Sequence, residues 1–352
     1  MKKDSVHTKM IKITKDSKLM IWGNTPEVKS GGAEVLQKLA AHLKSLGVNA
    51  KMFNYRFDGI FEQNDYYKNL YDINYGTWKE VTDDENTVLL IPEIMIENPK
   101  NLDFFCNFKH LQLIIWWLSS GFDYNDTSVK ISRRRQLLKL KSIEDRCLHL
   151  YENEMIGRDL LYYGITNRIK FQHGLYPSFY SKRNSTKEDI VLYNACKEVN
   201  RKYIELVKGS LPNIEFVGLG PDKSGKYLTK EEMIALYDKA KVYVDFYEYE
   251  GREMCPREAA IRDCLLLLPN EGCASTFDDY PIPNSYKFDK YTDNGISSLC
   301  EKIQDCLKNY DSKIIDMQLI KRKCLLEPVE WENNIYLVFG EMIPDKNKIV
   351  QL

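Results

Sequence analysis

Short apolar runs alternate along this chain with longer stretches in which apolar residues recur every three or four positions. Residues 19–22 form an apolar run suited to a buried strand, and Gly31 and Gly32 break the loop after it. Residues 33–46 then carry Val35, Leu36, Leu39, Leu43 and Leu46 at helical spacing, with Gly47 as the stop. Residues 48–55, 87–94, 111–118 and 147–151 read as further strands, followed by a helix around 155–163 and a strand near 169–172. The Tyr- and Asn-rich stretch 54–78 has no clear period. Strands and helices in alternation imply a parallel sheet with helices on both faces.

Residues 177–187 turn polar, with Ser178, Ser181, Asn184, Ser185 and Thr186, and read as a linker. A second series starts at residues 189–193, continues through strands at 214–219, 242–247 and 265–268, and places helices at about 198–208, 230–240 and 256–264. The expected organisation is therefore α/β, with two doubly wound Rossmann-like domains: 1–176, a linker 177–187, 188–325, and a helical tail 326–352.

In open α/β sheets, ligands bind beyond the carboxyl ends of the strands. The strand 242–247 runs into a Gly-containing loop, and Pro256 stands where a helix begins. Helix starts present unpaired N–H groups and a partial positive charge that suit a diphosphate. Glu258 falls at the third helical position on this reading, where a carboxylate caps the helix or accepts hydrogen bonds from ribose hydroxyls. Gly31, Gly32 and Glu34 occupy the corresponding place in the first half, as a ligand-approaching loop or simply a turn. Lys197, Arg201 and Lys202 follow the first strand of the second half and could neutralise phosphates or be solvated surface charge. His173, after the last strand of the first half, could touch a ligand or be an ordinary loop histidine.

Gly220-Pro-Asp-Lys-Ser-Gly225-Lys226 matches the spacing of a P-loop, but Tyr227 stands where magnesium coordination requires Ser or Thr. No two aspartates are separated by a single residue, and the histidines are dispersed, so no metal or cofactor is expected.

The run Glu250-Gly-Arg-Glu-Met-Cys-Pro-Arg-Glu258-Ala-Ala resembles the Glu-x7-Glu region of GT-B glycosyltransferases of the large family four. It is closer to bacterial surface-polysaccharide transferases with a Pro-Arg-Glu-Ala-Ala signature (residues 256–260) and a later Pro-Ile-Pro (residues 281–283). Glu253 stands where the larger family has its second glycine. The resemblance implies a GT-B fold with two domains facing a central cleft, the last helix packing back on the first domain, and retaining transfer from a nucleotide-sugar without a metal. It implies that Lys197 holds phosphate, Glu258 the ribose and Glu250 the donor sugar or developing charge, with Gly31, Gly32, Arg201, Gly218, Gly220 and Arg257 completing the donor set. Glu34 and His173 are implied at the acceptor or donor.

A formal charge of −1 favours no nucleic-acid partner. The run holding Arg133, Arg134, Arg135, Lys139 and Lys141, interleaved with leucines, is either a solvated helix face or a peripheral membrane contact for a lipid-linked glycan acceptor. Nine cysteines without a CxxC pair point to reduced thiols and a cytoplasmic setting, and no run approaches the ~20 apolar residues of a membrane span. An epimerase on the same fold, a non-catalytic nucleotide-sugar-binding subunit and a P-loop NTPase or kinase are the competing functions.

Overall fold

The computed structural model describes residues 11–23, 31–54, 65–119, 127–182, 185–221, 224–292 and 294–345. They form two compact units, Met1–Gln172 with Trp331–Leu352, and His173–Glu330. In the first unit, β1 (Lys18–Gly23), β2 (Ala50–Asn54), β3 (Asn74–Tyr75), β4 (Thr87–Pro92), β5 (Gln112–Trp117), β6 (Cys147–Tyr151) and β7 (Arg168–Lys170) make one parallel sheet. Its strand order is β3-β2-β1-β4-β5-β6-β7.

Every residue of β4 and β5 is buried, the signature of strands covered on both faces. Side chains alternate between two cores: Ile114 and Trp116 join the layer holding Val35, Leu36 and Leu39, while Leu113, Ile115 and Trp117 join the layer holding Phe105, Leu137 and Leu160. The helix Gln318–Phe339 passes from the second unit into the first. Its Trp331 stacks on Trp116, ring centroids 6.1 Å apart, and meets Phe171 edge-on at 5.2 Å.

The second unit carries β8 (Glu188–Asn194), β9 (Glu215–Leu219), β10 (Ala240–Val244), β11 (Leu265–Pro269) and β12 (Lys287–Phe288), all parallel, in the order β12-β11-β10-β8-β9. Of the stretch 177–187, read from sequence as a linker, residues 183 and 184 lie outside the described residues, while Pro177–Tyr180 and Lys187 are built into this unit. Pro177–Tyr180 is a single helical turn with Phe179 buried, and the Lys187 ammonium donates to the carbonyls of Tyr237 (2.8 Å), Ala240 (2.7 Å) and Arg262 (2.8 Å). The ammonium thereby gathers three backbone carbonyls, two of which, those of Tyr237 and Ala240, also accept from the Cys264 thiol.

The basic run is not one surface. Residues 133, 137 and 140 share a helical face, and that face packs inward: Leu137 and Leu140 are core residues. Arg133 is 5% exposed, with its guanidinium 4.1 Å over the Trp117 ring and donating to Gln136 Oε1. Lys139 pairs with Asp103 and Lys141 with Glu144, leaving Arg134 and Arg135 as the exposed arginines. This corrects the reading of five cations on a common face.

Replacing Trp331 with Ala removes an aromatic from a dry core and should destabilise the first unit by about 3–5 kcal/mol. Urea unfolding followed by far-UV circular dichroism checks this, and a wild-type midpoint would contradict it.

Candidate functional site

Counted within its own unit, the five-stranded sheet runs 2-1-3-4-5, so the crossover direction reverses between β8 and β10. The carboxyl ends of those two strands are therefore where a doubly wound sheet opens a crevice. Asn194 ends β8, and its side-chain oxygen accepts from Cys196 N at 3.0 Å, turning the chain tightly. Lys197 follows in extended backbone as the residue before the helix Glu198–Ser210. In that helix's first turn Asn200, wholly buried, donates from Nδ2 to Asn194 O (2.9 Å) and accepts from Phe246 N (2.7 Å). One amide thus ties the ends of both strands together.

On the β10 side, Asp245 is 1% exposed and accepts from the hydroxyls of Tyr243 (2.7 Å) and Tyr249 (3.0 Å) and from Tyr247 N (3.1 Å). Burial raises its pKa, and these three donors counteract that. The turn they fix presents the Tyr247 ring to Lys197, whose Nζ lies 3.7 Å from the ring centroid. Glu253 Oε1 is 3.9 Å from the same ammonium. The Tyr247 phenol is pushed up by burial and then by Glu250 and Glu253, and it hydrogen-bonds with Glu250. Lys197, Tyr247, Glu250 and Glu253 are the convergent group; Tyr247 carries no motif that the sequence reading could have used.

The helix Met254–Ile261 begins two residues before Pro256, because proline is tolerated within a first turn whose N–H groups are unpaired anyway. Glu253, not a later residue, precedes the helix, and its side chain makes no cap hydrogen bond. Glu258 is consequently the fifth helical residue, 2% exposed, accepting from the Tyr237 hydroxyl at 3.0 Å. This corrects its expected place at the third position, and it is not the cap.

Arg257 is wholly buried and directed inward. It donates to Glu327 Oε2 (2.8 Å), to the carbonyls of His173 (3.1 Å), Glu253 (3.2 Å) and Arg252 (3.4 Å), and to His173 Nε2 (3.0 Å). A guanidinium only donates, so His173 Nε2 is the acceptor and the ring proton sits on Nδ1. Arg252 donates to the other Glu327 oxygen at 2.5 Å. Burial alone would raise the pKa of Glu327, but the two guanidiniums hold it below the usual carboxylate range. Arg257 and His173, expected at a ligand, form this internal ion cluster instead.

Gly218 and Gly220 serve close packing. A Cβ on Gly218 would lie 2.9 Å from both Ala195 Cβ and the Tyr193 hydroxyl, and one on Gly220 would lie 3.0 Å from Ala195 Cβ. Arg201 donates to Ala195 O at 2.5 Å and braces the same loop. In the P-loop-like run, residues 222 and 223 lie outside the described residues, Gly225 is left-handed at φ 82, and the next helix, Lys230–Lys239, starts only after a capping box at Thr229. Lys226 therefore precedes the helix and is not on its first turn. In the first unit Gly31 and Gly32 open the helix Gly31–Ser45, with residues 24–30 outside the described set, and Glu34 accepts from the Tyr71 hydroxyl at 3.0 Å. Glu93, at the end of β4 and missed by sequence reasoning, is buried and accepts from Leu118 N, Ser119 N and Ser119 Oγ.

Among the described residues no group of His, Cys, Asp or Glu is arranged to hold a metal ion, and no helix is long and apolar enough to cross a membrane. No family model and no curated protein sequence matches the chain. Solved structures do. Sucrose-phosphate synthase from Thermosynechococcus elongatus superposes with a TM-score of 0.61 at 12% identity, covering 92% of this chain and 98% of that one. WaaG, a glycosyltransferase involved in lipopolysaccharide biosynthesis, gives 0.56 at 11% over 92% and 100%. The chain has the GT-B fold. Two further GT-B structures extend the likeness: Anabaena HepE in complex with UDP and glucose (TM-score 0.60, 10% identity, 92% of this chain and 100% of that one) and a mutant of Staphylococcus aureus TarM in complex with fondaparinux, alpha-GlcNAc-glycerol and UDP (0.54, 16%). The match covers 76% of this chain but spans only 57% of TarM.

Glu327→Ala should cost about 3–5 kcal/mol, since it strands two guanidiniums in a dry interior. Because the folded pKa of Glu327 is lowered, its contribution is present above the ordinary carboxylate range and is lost as pH falls through the folded value. Thermal melts across acid pH should show that loss in the wild type and a flatter acid limb in Glu327→Gln.

Proposed function

We propose that the chain is a glycosyltransferase that moves a sugar from a nucleotide-sugar to a surface-polysaccharide or related glycan acceptor. The observation that carries this reading is the Lys197 ammonium, poised over Tyr247 at the switch point of the second sheet, beside the start of the helix Met254–Ile261. A diphosphate there gains a charge-assisted contact and the unpaired N–H groups of the helix start. The GT-B fold and the solved complexes of HepE and TarM with UDP support a nucleotide donor.

In the reaction, the bond from the anomeric carbon to the diphosphate oxygen breaks and one to an acceptor oxygen forms, while the acceptor proton passes to the departing phosphate. Lys197 and the helix start stabilise the negative charge that grows on the leaving group, the role a divalent ion would otherwise fill, so transfer proceeds without a metal. Glu250, anchored by Tyr247, faces the sugar and offsets positive charge at the anomeric carbon. Glu258, held by Tyr237, accepts from the ribose hydroxyls. Configuration is retained, as in the Glu-x7-Glu transferases the chain resembles. A lipid-linked acceptor would bring the protein to a membrane surface, with Arg134 and Arg135 among the exposed cations of their helix.

Lys197→Ala should reduce kcat/KM by a factor matching the loss of about 1.5–3 kcal/mol, roughly tenfold or more. Lys226→Ala should leave it unchanged, and turnover should survive a chelator. Magnesium-dependent nucleotide hydrolysis that depends on Lys226 and ignores Lys197 would overturn the assignment.

Glu258→Ala is expected to weaken nucleotide binding and also to cost about 1–3 kcal/mol of stability, because the buried Tyr237 hydroxyl loses its acceptor. Measuring nucleotide affinity and melting temperature on the same sample separates the two effects. Undiminished affinity would remove Glu258 from the donor site.

A further inference from the structure

We propose that Glu253 is a proton-accepting member of the donor site, so that a nucleotide-sugar diphosphate binds at Lys197 with uptake of one proton by the Glu253 carboxylate. This rests on the nucleotide-sugar reading of the same site. The backbone of Glu253 is pinned: its N–H donates to Gly251 O at 3.1 Å and its carbonyl accepts from Arg257 Nε at 3.2 Å and the Tyr280 hydroxyl at 3.5 Å. The side chain, which does not cap the helix it precedes, reaches one cation, Lys197, at 3.9 Å.

Among the described residues, Lys197, Asp245, Glu250 and Arg257 are the charged groups that act most strongly on this carboxylate. Lys197 and Arg257 attract it; Asp245 and Glu250 repel it. Arg257 is already committed to Glu327, so Lys197 is the compensating charge, and it is the charge a diphosphate would take. Tyr247, Tyr249, Tyr280 and Cys273 also interact with Glu253, but burial raises the pKa of each, and they remain neutral. A diphosphate arriving at Lys197 would therefore come into the field of the carboxylates of Glu253, Glu250 and Asp245.

Of the three, Asp245 keeps three hydrogen-bond donors that favour its ionised form, and Glu250 keeps its bond with Tyr247. Glu253 loses the partner it has. Its carboxyl is already raised in the free protein, first by burial and then by Asp245 and Glu250. The proton comes from solvent to a carboxylate oxygen, turning a repelling charge into an O–H that can donate to a phosphate oxygen. A family glycine at this position has no group able to do so.

The sign follows from linkage. Glu253 has a higher pKa in the complex than in the free protein, so between the two values binding takes up a proton and affinity weakens as pH rises, by at most about tenfold per pH unit. UDP-glucose, GDP-mannose and ADP-glucose are suitable probes, because a diphosphate esterified at both ends has no proton that titrates near neutrality. Calorimetry in buffers of different protonation enthalpy should show proton uptake by the wild type and an affinity that falls toward alkaline pH. E253Q should show no uptake, a flat pH profile and, at alkaline pH, affinity up to about tenfold tighter than wild type; its melting temperature reports whether it is folded, and the wild-type proton count stands without it. Wild-type binding with no proton uptake, or a folded E253Q that still takes up the proton, overturns the inference while leaving the donor site in place. Failure of all three probes to bind either protein overturns the nucleotide-sugar reading and this inference with it.

Discussion

A single carboxylate, Glu327, set between the buried guanidiniums of Arg252 and Arg257, is the constraint on which the shape of the acidic segment depends. Both arginines lie inside the Glu250–Glu258 run, and their partner comes from a helix far along the chain. Such a cluster adds little net stability compared with apolar packing, yet breaking it is severe, because the survivors are buried charges. Its effect is geometric. It dictates where residues 252 and 257 must be, and the carboxylates between and beside them inherit that placement. The neighbouring run joins in: a Cβ on Gly174 would lie 3.6 Å from the Glu327–Pro328 peptide, and His173 takes two of the Arg257 hydrogen bonds.

Against this rigid base, the charge balance at the crevice is uneven. Lys197 is shared between an aromatic face and a carboxylate, while Asp245 and Glu250 add negative potential nearby. On the proposed donor-site reading, an anion arriving there would not meet bare positive charge but would exchange one pairing of Lys197 for another. Binding strength would then be a difference between two lysine partnerships, favouring ligands that outcompete an internal carboxylate.

The strands were legible wherever burial on both faces leaves a continuous apolar run, as in β4, β5 and β11. Two-residue strands such as β3 and β12 leave no such trace. The position of Lys197 was legible because the end of β8 was legible, and the helix after it begins one residue on. Arg257, His173 and Arg133 were misread for a common reason: a charged residue's type suggests a ligand or solvent, and only the fold reveals that its partner lies inside. Asn200 was invisible for the opposite reason, since one asparagine in a helical first turn looks like any other, although its amide holds two strand ends in register. The start of the helix Met254–Ile261 was misplaced because proline marks a first turn without specifying which of its positions it occupies.

The passage of the helix Gln318–Phe339 from one unit to the other has a consequence for biogenesis. The core of the first unit includes Trp331, Ile335, Val338, Phe339, Met342 and Ile343, so most of its strands leave the ribosome long before the residues that seal them. The second unit is continuous in sequence and can close earlier. During synthesis the sheet layer around Trp116 and Phe171 waits with its apolar face open for the rest of the chain to be made. Apolar surface left open in that interval is the kind that makes folding intermediates prone to aggregate.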